Sequence, residues 1–173
     1  LDDIGRSADF LRRAKGGVTL SGGEPLVQPR FAASIFRGCK EIGLHTALDT
    51  SGHLGAKVSD AMLDDIDLVL LDIKSFDPAI YRRVTGVELQ PTLDFARRLD
   101  SLGKPMWIRF VLVPGLTDDP ANVEGLADFA ASLKMVERVE VAPFHKMGEF
   151  KWAELRLPYE LADTEPPTRA SVI

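Results

Sequence analysis

The segment that decides the fold is Gly16-Gly17-Val18-Thr19-Leu20-Ser21-Gly22-Gly23-Glu24-Pro25. Residues 18–20 favour an extended, half-buried strand, and residues 21–23 favour an abrupt turn at its carboxyl end. Because glycine has no Cβ atom, a ligand can approach the backbone of this turn closely, and Glu24 then supplies an acceptor for a cationic group such as an ammonium. Taken alone, this segment is equally consistent with an ordinary strand-to-helix turn in which Glu24 is solvated.

Composition indicates one globular domain and excludes several classes of partner. A chain of 173 residues with 45% hydrophobic content can bury one core. The net charge of -5, without a basic run, argues against nucleic acid or an anionic membrane as the principal partner. No segment has the pattern of a membrane span or a signal peptide, so we expect a cytoplasmic protein. The single cysteine, Cys39, rules out both an internal disulfide and a multi-cysteine metal site built from this chain alone.

Hydrophobic periodicity predicts strands that alternate with helices along the whole chain. A helix over residues 1–14 precedes the first strand, and a second helix, starting at Pro29, has Phe31, Ile35, Cys39 and Ile42 on one face. Residues 68–71 are continuously apolar, as expected for a strand covered on both faces. The predicted strands lie at residues 18–20, 46–48, 68–71, 106–113 and 139–142. This alternation predicts an α/β fold with a parallel sheet.

The end of the chain has weaker periodicity than the rest. From Lys146 onward we predict a surface segment, and the Pro166-Pro167 break is expected to precede a further helix that begins near Ala170.

Polar side chains follow every predicted strand. In strand order they are Glu24, then Asp49 with Thr50, then Asp72 with Lys74, then Arg109, then His145. Each has an ordinary structural explanation when taken singly. Parallel strands, however, place their carboxyl ends at one edge, which is where open α/β sheets and barrels bind their ligands. The sequence therefore predicts a ligand site at this edge.

The charges at this edge suggest an amino-acid moiety as the ligand. Glu24 and nearby carbonyls would hold an ammonium while Lys74 or Arg109 meets a carboxylate, and His145 could contact a ribose or base. Two carboxylates about 5 Å apart, as expected for Asp49 and Asp72, repel by roughly 3 kcal/mol at an effective dielectric near 20. A cation is therefore expected between them, either Lys74 or a metal ion.

Five segments together resemble a known family. They are Gly17-Val18-Thr19-Leu20-Ser21-Gly22-Gly23-Glu24, Leu48-Asp49-Thr50-Ser51-Gly52, Leu71-Asp72-Ile73-Lys74, Trp107-Ile108-Arg109-Phe110-Val111-Leu112-Val113-Pro114-Gly115 and Pro143-Phe144-His145. In order and spacing this set is similar to the glycyl-radical-enzyme activases of the radical SAM type. The likeness extends from Gly16 to about Trp152.

The resemblance implies a fold, an activity and a set of cofactors. The fold is a parallel partial (β/α)6 barrel. The activity is oxidoreductase chemistry in which an iron–sulfur (4Fe-4S) cluster reductively cleaves S-adenosylmethionine (SAM), and the resulting radical takes hydrogen from a backbone glycine of a partner such as pyruvate formate-lyase. A flavodoxin or ferredoxin type of protein would be the reductant.

The resemblance also implies roles for particular residues. Gly22, Gly23 and Glu24 would hold the methionyl amino group of SAM, and Lys74, Arg109 and His145 would line the rest of the SAM site. A monovalent cation beside the SAM carboxylate would be held by Asp49 and Asp72 with the carbonyls of Thr50 and Leu70.

The family's Cys-x3-Cys-x2-Cys cluster loop has no counterpart in this chain, and Cys39 on a helix face is no substitute. We therefore expect residues 1–173 to form a single radical SAM core fragment, with about five strands that correspond to strands two to six. It would lack the first strand, its cluster loop and the carboxyl-terminal end, and would be inactive alone, with no catalytic nucleophile.

Two other functions remain open at this stage. One is a barrel enzyme that acts on a small anionic substrate, with Lys74 as Schiff-base former and Asp72 as acid or base. The other is a cluster-free binding module.

Overall fold

The computed structural model describes residues 1–168, and within them five parallel strands pair in the order in which they occur in the chain. The strands are β1 (Gly17–Leu20), β2 (His45–Thr50), β3 (Leu68–Asp72), β4 (Met106–Leu112) and β5 (Val136–Pro143). The helices are α1 (Asp2–Arg13), α2 (Pro29–Glu41), α3 (Asp60–Asp64), α4 (Pro78–Thr85), α5 (Gln90–Ser101), α6 (Pro120–Ala131) and α7 (Glu149–Glu154). The predicted α/β fold is confirmed, and this strand order is that of a partial β/α barrel.

Several helices begin at residues that favour a helix start. Pro29 is the first residue of α2, where its missing N–H costs no hydrogen bond. The Ser59 hydroxyl accepts a hydrogen bond from the Met62 N–H at the start of α3, and Asp77 caps α4 through the N–H groups of its first turn. These caps fix where the chain leaves the carboxyl end of each strand.

The core lies on the face of the sheet that the helices cover. Val69 and Leu71 of β3 are fully buried there, whereas Leu68 and Leu70 on the opposite face are only half-buried. The expectation that β3 is covered on both faces is therefore wrong. The second face carries polar side chains from neighbouring strands, which leave Leu68 and Leu70 partly open.

One further sequence prediction needs correction. Phe31 does not share the buried face of α2: 63% of its surface is exposed, while Phe36 is fully buried. Phe31 lies in the first turn, at the margin of a buried stripe centred on Ala32, Phe36 and Cys39. The segment after Lys146 lies at the surface, as predicted, and it also contains α7, an exposed helix that buries no residue and was not predicted. The helix predicted near Ala170 lies outside the described residues.

Candidate functional site

The sheet register places four of the predicted site residues on one face at the carboxyl edge. Asp49 pairs with Leu70, and Asp72 pairs with Arg109. Because side chains alternate along a strand, Asp49, Leu70, Asp72 and Arg109 all project from the face opposite the main core. The structure therefore brings together the ends of β2, β3 and β4.

Arg109 joins the two carboxylates at this edge. Its Nε donates to Asp72 Oδ1 at 2.9 Å, and its Nη2 donates to Asp49 Oδ1 at 2.9 Å. The guanidinium of Arg109 therefore lies between Asp49 and Asp72, a position predicted for Lys74 or a metal ion, and Lys74 does not occupy it. Lys74 lies to one side, where its Nζ donates to Asp72 Oδ2 at 2.7 Å.

These contacts perturb both charged groups. Desolvation by burial alone would raise the pKa of Asp72, but the hydrogen bond from Arg109 and the charge and hydrogen bond of Lys74 outweigh it and lower the pKa below its usual value. The hydrogen bond to Asp72 raises the pKa of Arg109 against the opposing effect of desolvation. Both side chains are therefore ionised at neutral pH, and the cluster combines two carboxylates with two cations.

The Gly-Gly-Glu turn is fastened to the end of β2 by side-chain hydrogen bonds. Ser21 Oγ donates to Asp49 Oδ2 at 2.9 Å. The Glu24 carboxylate accepts four hydrogen bonds, from Leu26 N (3.0 Å), Thr50 Oγ1 (2.7 Å), Ser51 N (2.9 Å) and Ser51 Oγ (2.6 Å). These donors fill the roughly four lone-pair sites of a carboxylate. An ammonium at this turn would therefore meet backbone carbonyls, since the expected free acceptor at the Glu24 side chain is already occupied.

The backbone of the turn is open to an incoming group. Gly22 has φ +128°, a conformation that side chains rarely adopt, and a Cβ added at Gly22 or Gly23 would meet no atom within 4 Å. A cavity of about 380 Å³ adjoins the turn and is lined in part by Gly23, Val27 and Phe31. The two glycines therefore leave room for close contact with a ligand, as the sequence predicted.

His145 reaches the same edge of the sheet without joining the charged cluster. It lies two residues beyond β5, whose last residue, Pro143, pairs with Leu112 of β4. The side chain is exposed, and within residues 1–168 no hydrogen bond connects His145 to Asp49, Asp72 or Arg109. Its role as a ligand contact stays a prediction.

Three residues that support the site were not predicted as such. Ser21 and Ser51 hydrogen-bond the site carboxylates, and their positions beside Gly22 and Gly52 were the available sequence signal. Thr92 of α5 donates to the Ser51 carbonyl at 2.9 Å and bonds the Tyr81 hydroxyl at 2.8 Å. Nothing in the local sequence of α5 marks Thr92, because its partners are 41 and 11 residues away.

The described residues offer no cysteine or carboxylate cluster for a transition metal. Cys39 is fully buried on α2 beside Ala8 and Leu44, and this burial raises the pKa of its thiol. Within residues 1–168 no three His, Cys, Asp or Glu side chains are grouped so that they could hold a metal ion. In the same range no helix has the length and apolarity needed to cross a membrane.

Comparison with known proteins identifies the superfamily of the chain. The pattern of the radical SAM superfamily matches residues 1–129, so the chain belongs to this superfamily. Membership implies SAM and a 4Fe-4S cluster as cofactors.

Two individual proteins are similar to this chain over most of its length. The pyruvate formate-lyase-activating enzyme of Streptococcus mutans is 44% identical over 159 residues, which cover 88% of this chain and 60% of the relative. The pyruvate formate-lyase 1-activating enzyme of Escherichia coli K12 is 38% identical over 165 residues, which cover 94% of this chain and 67% of the relative. The chain thus spans about 60–67% of the length of these relatives.

A solved structure supports the same assignment. The crystal structure of a domain of pyruvate-formate lyase-activating enzyme from Bacteroides vulgatus superposes with a TM-score of 0.74 at 29% identity. The match covers 90% of this chain and 88% of that domain. The strand order and the helix layer described above are therefore those of a radical SAM barrel.

Proposed function

We propose that the full-length gene product activates a glycyl radical enzyme, with pyruvate formate-lyase as the first candidate. The reaction is SAM-dependent abstraction of hydrogen from a backbone glycine of that partner. Support comes from superfamily membership and from the two curated activating enzymes at 38–44% identity. The observation that carries the proposal is the Arg109 cluster, which brings both anion-binding and cation-binding groups to the strand ends.

The proposed SAM site uses the residues at this edge. The backbone at Gly22, Gly23 and Glu24 accepts hydrogen bonds from the methionyl ammonium, because the Glu24 carboxylate already has four donors. Lys74 and Arg109 supply positive charge for the methionyl carboxylate. His145, exposed beyond β5, contacts the nucleoside part of SAM. The ammonium and carboxylate of an amino acid would thus each form charge-assisted hydrogen bonds, which are stronger than hydrogen bonds between neutral groups.

A monovalent cation beside the SAM carboxylate is part of the proposal. Asp49, Asp72 and the carbonyls of Thr50 and Leu70 would hold it, and it would offset the negative charge of the two side chains. In this structure both carboxylates hydrogen-bond Arg109, so a cation competes with the guanidinium for the same oxygens. SAM binding is therefore expected to depend on the concentration of Na⁺ or K⁺.

The residues of this chain do not fit an iron–sulfur cluster. Such a cluster requires several thiolates, and the one cysteine here is buried in the packing of α1, α2 and β1. The reaction of residues 1–173 is therefore limited to what the SAM site can do, which is to bind and orient. A flavodoxin or ferredoxin type of reductant and a cytoplasmic location complete the proposal for the full-length gene product.

The two alternatives have less support. A Schiff-base lysine must present a free amine to its substrate, whereas Lys74 is held in an ion pair with Asp72. A cluster-free binding module is less consistent with these relatives, which are named as activating enzymes.

The proposal can be tested with the full-length gene product reconstituted anaerobically with iron and sulfide. Mixed with reductant, SAM and pyruvate formate-lyase, it is expected to generate the electron paramagnetic resonance signal of a glycyl radical, together with 5'-deoxyadenosine. Omitting SAM is the control and should abolish both products. If a cluster-loaded, reduced sample forms neither product, the proposed function is wrong.

A further inference from the structure

Asn122, a buried residue of α6, links two loops at the carboxyl edge of the sheet. Only 5% of its surface is exposed. Its Oδ1 accepts hydrogen bonds from Ser75 Oγ (2.8 Å), Phe76 N (2.7 Å) and Asp77 N (2.9 Å). Its Nδ2 donates to the Thr117 carbonyl at 2.7 Å. One side chain thus fastens the β3–α4 loop to the β4–α6 loop.

These two loops adjoin the cations of the site. The β3–α4 loop, residues 73–77, contains Lys74, and the β4–α6 loop, residues 113–119, follows the strand of Arg109. Thr117 is itself anchored to β4, because its Oγ1 donates to the Val111 carbonyl and accepts from the Val113 N–H, each at 2.8 Å. A continuous chain of hydrogen bonds therefore runs from the end of β4 through Asn122 to the residue after Lys74.

An amide is the side chain that these contacts require. The loop presents two backbone N–H groups and a hydroxyl to one side of Asn122, and Thr117 presents a carbonyl to the other side. A carboxylate would accept from the first side but repel the Thr117 carbonyl, and an aliphatic side chain would leave the buried groups without partners. The amide of Asn122 therefore pairs the groups that both loops present to it.

We propose that Asn122 is a positioning residue for Lys74. By holding Ser75, Phe76 and Asp77 in the β3–α4 loop, it places the Lys74 Nζ at 2.7 Å from Asp72 Oδ2, on the carboxylate that also pairs with Arg109. Asn122 does not touch this cluster and acts on it only through the loop. The proposal rests on the proposed function for its effect on SAM, whereas its effect on Lys74 itself is independent of any ligand.

The test compares Asn122→Ala with Asp100→Ala in the full-length gene product. Asp100 is a matched control, because its Oδ1 accepts from Lys134 N (2.6 Å) and Met135 N (2.8 Å) and so fastens a loop at the opposite, amino end of the strands. The first measurement is the rate of reductive methylation of the Lys74 amine, followed by mass spectrometry. The second is the dissociation constant of SAM.

We expect Asn122→Ala to raise the methylation rate of Lys74 at least fivefold and to weaken SAM binding at least tenfold. Asp100→Ala should leave both within twofold of the unsubstituted protein. If Asn122→Ala does not fold, the isosteric Asn122→Asp replaces it with the same expected directions, since its second oxygen faces the Thr117 carbonyl.

The two readouts separate the possible failures. Unchanged methylation of Lys74 in a folded Asn122 variant overturns the proposal, because the loop is then positioned without Asn122. Faster methylation with unchanged SAM affinity supports the positioning of Lys74 by Asn122 and contradicts the role of Lys74 in SAM binding. If the unsubstituted protein binds no SAM, the proposed function fails, and the methylation rates alone decide whether Asn122 positions Lys74.

Discussion

Arg109 is a half-buried cation whose position is explained by its two carboxylate partners. An unpaired charge at this depth would be costly, and charge-assisted hydrogen bonds to Asp72 and Asp49 offset that cost. The same partners keep the guanidinium on the open face of the sheet, where a ligand can reach it. Stability therefore depends on the same ions that are proposed to bind the ligand.

The lowered pKa of Asp72 predicts a pH dependence of stability. Its folded pKa lies below the unfolded value of about 3.9, so its stabilisation is present above that value and is lost as pH falls through the folded pKa. Asp72→Asn should lower the free energy of unfolding at pH 7 by about 1–3 kcal/mol, with the difference from the unsubstituted protein shrinking below about pH 4. Urea unfolding at several pH values measures this, with the exposed Asp128→Asn as the control.

An equal loss at pH 3 and pH 7 would contradict this explanation of the Asp72 pKa. A loss of stability in the Asp128→Asn control as large as that in Asp72→Asn would contradict it as well.

Glu24 provides a second prediction at the scale of one residue. Glu24→Gln places an amide NH2 against donors from Thr50 and Ser51, so the free energy of unfolding should fall by about 1–3 kcal/mol. Chemical denaturation measures the change, and Glu41→Gln, on an exposed turn of α2, should have little effect. If the two substitutions had equal effects, the four hydrogen bonds of Glu24 would contribute nothing to stability.

At the scale of elements, the loop after β2 has to pass close to α5. A Cβ added at Gly55 would lie 2.6 Å from Phe95 Cβ, and it would overlap the Phe95 ring, which is buried in the core. Gly5, inside α1, has no atom within 4 Å of the corresponding position. The same substitution should therefore have opposite effects at the two sites.

Gly55→Ala should destabilise the protein by about 1–3 kcal/mol through overpacking, whereas Gly5→Ala should stabilise it by up to about 1 kcal/mol through helix propensity. Thermal unfolding by circular dichroism measures both changes. An unaffected Gly55→Ala protein would show that α5 does not pack on this loop as described.

The sequence was sufficient to predict elements whose signals are local. Alternating apolar runs marked the strands, and Pro29, Ser59 and Asp77 marked helix starts. Ser59 and Asp77 accept hydrogen bonds from N–H groups of the first turn, and Pro29 has no N–H group that needs a partner. Phe31 was misplaced because its exposure depends on how α2 crosses the sheet. Asn122 was missed because its loop partners lie 45–47 residues away, and no local pattern records such a contact.

At the scale of the whole molecule, the fold itself assembles the site. Arg109 meets Asp49 across 60 residues of sequence and Asp72 across 37 residues, and only the parallel sheet brings these positions together. The strand ends could be predicted to converge, since parallel strands share an edge, but which cation lies between the carboxylates could not. That depends on side-chain reach: the longer fork of Arg109 spans both carboxylates, and Lys74 reaches only one.

The central claim is that this edge binds SAM through Arg109, and the most direct test is calorimetric titration of SAM into the full-length gene product. Arg109→Met should weaken binding by about 10–100-fold, the loss expected for a charged hydrogen-bonding partner. Arg97→Met, on the exposed face of α5, is the control and should bind SAM within twofold of the unsubstituted protein. If folded Arg109→Met binds SAM as tightly as Arg97→Met, the claim is contradicted.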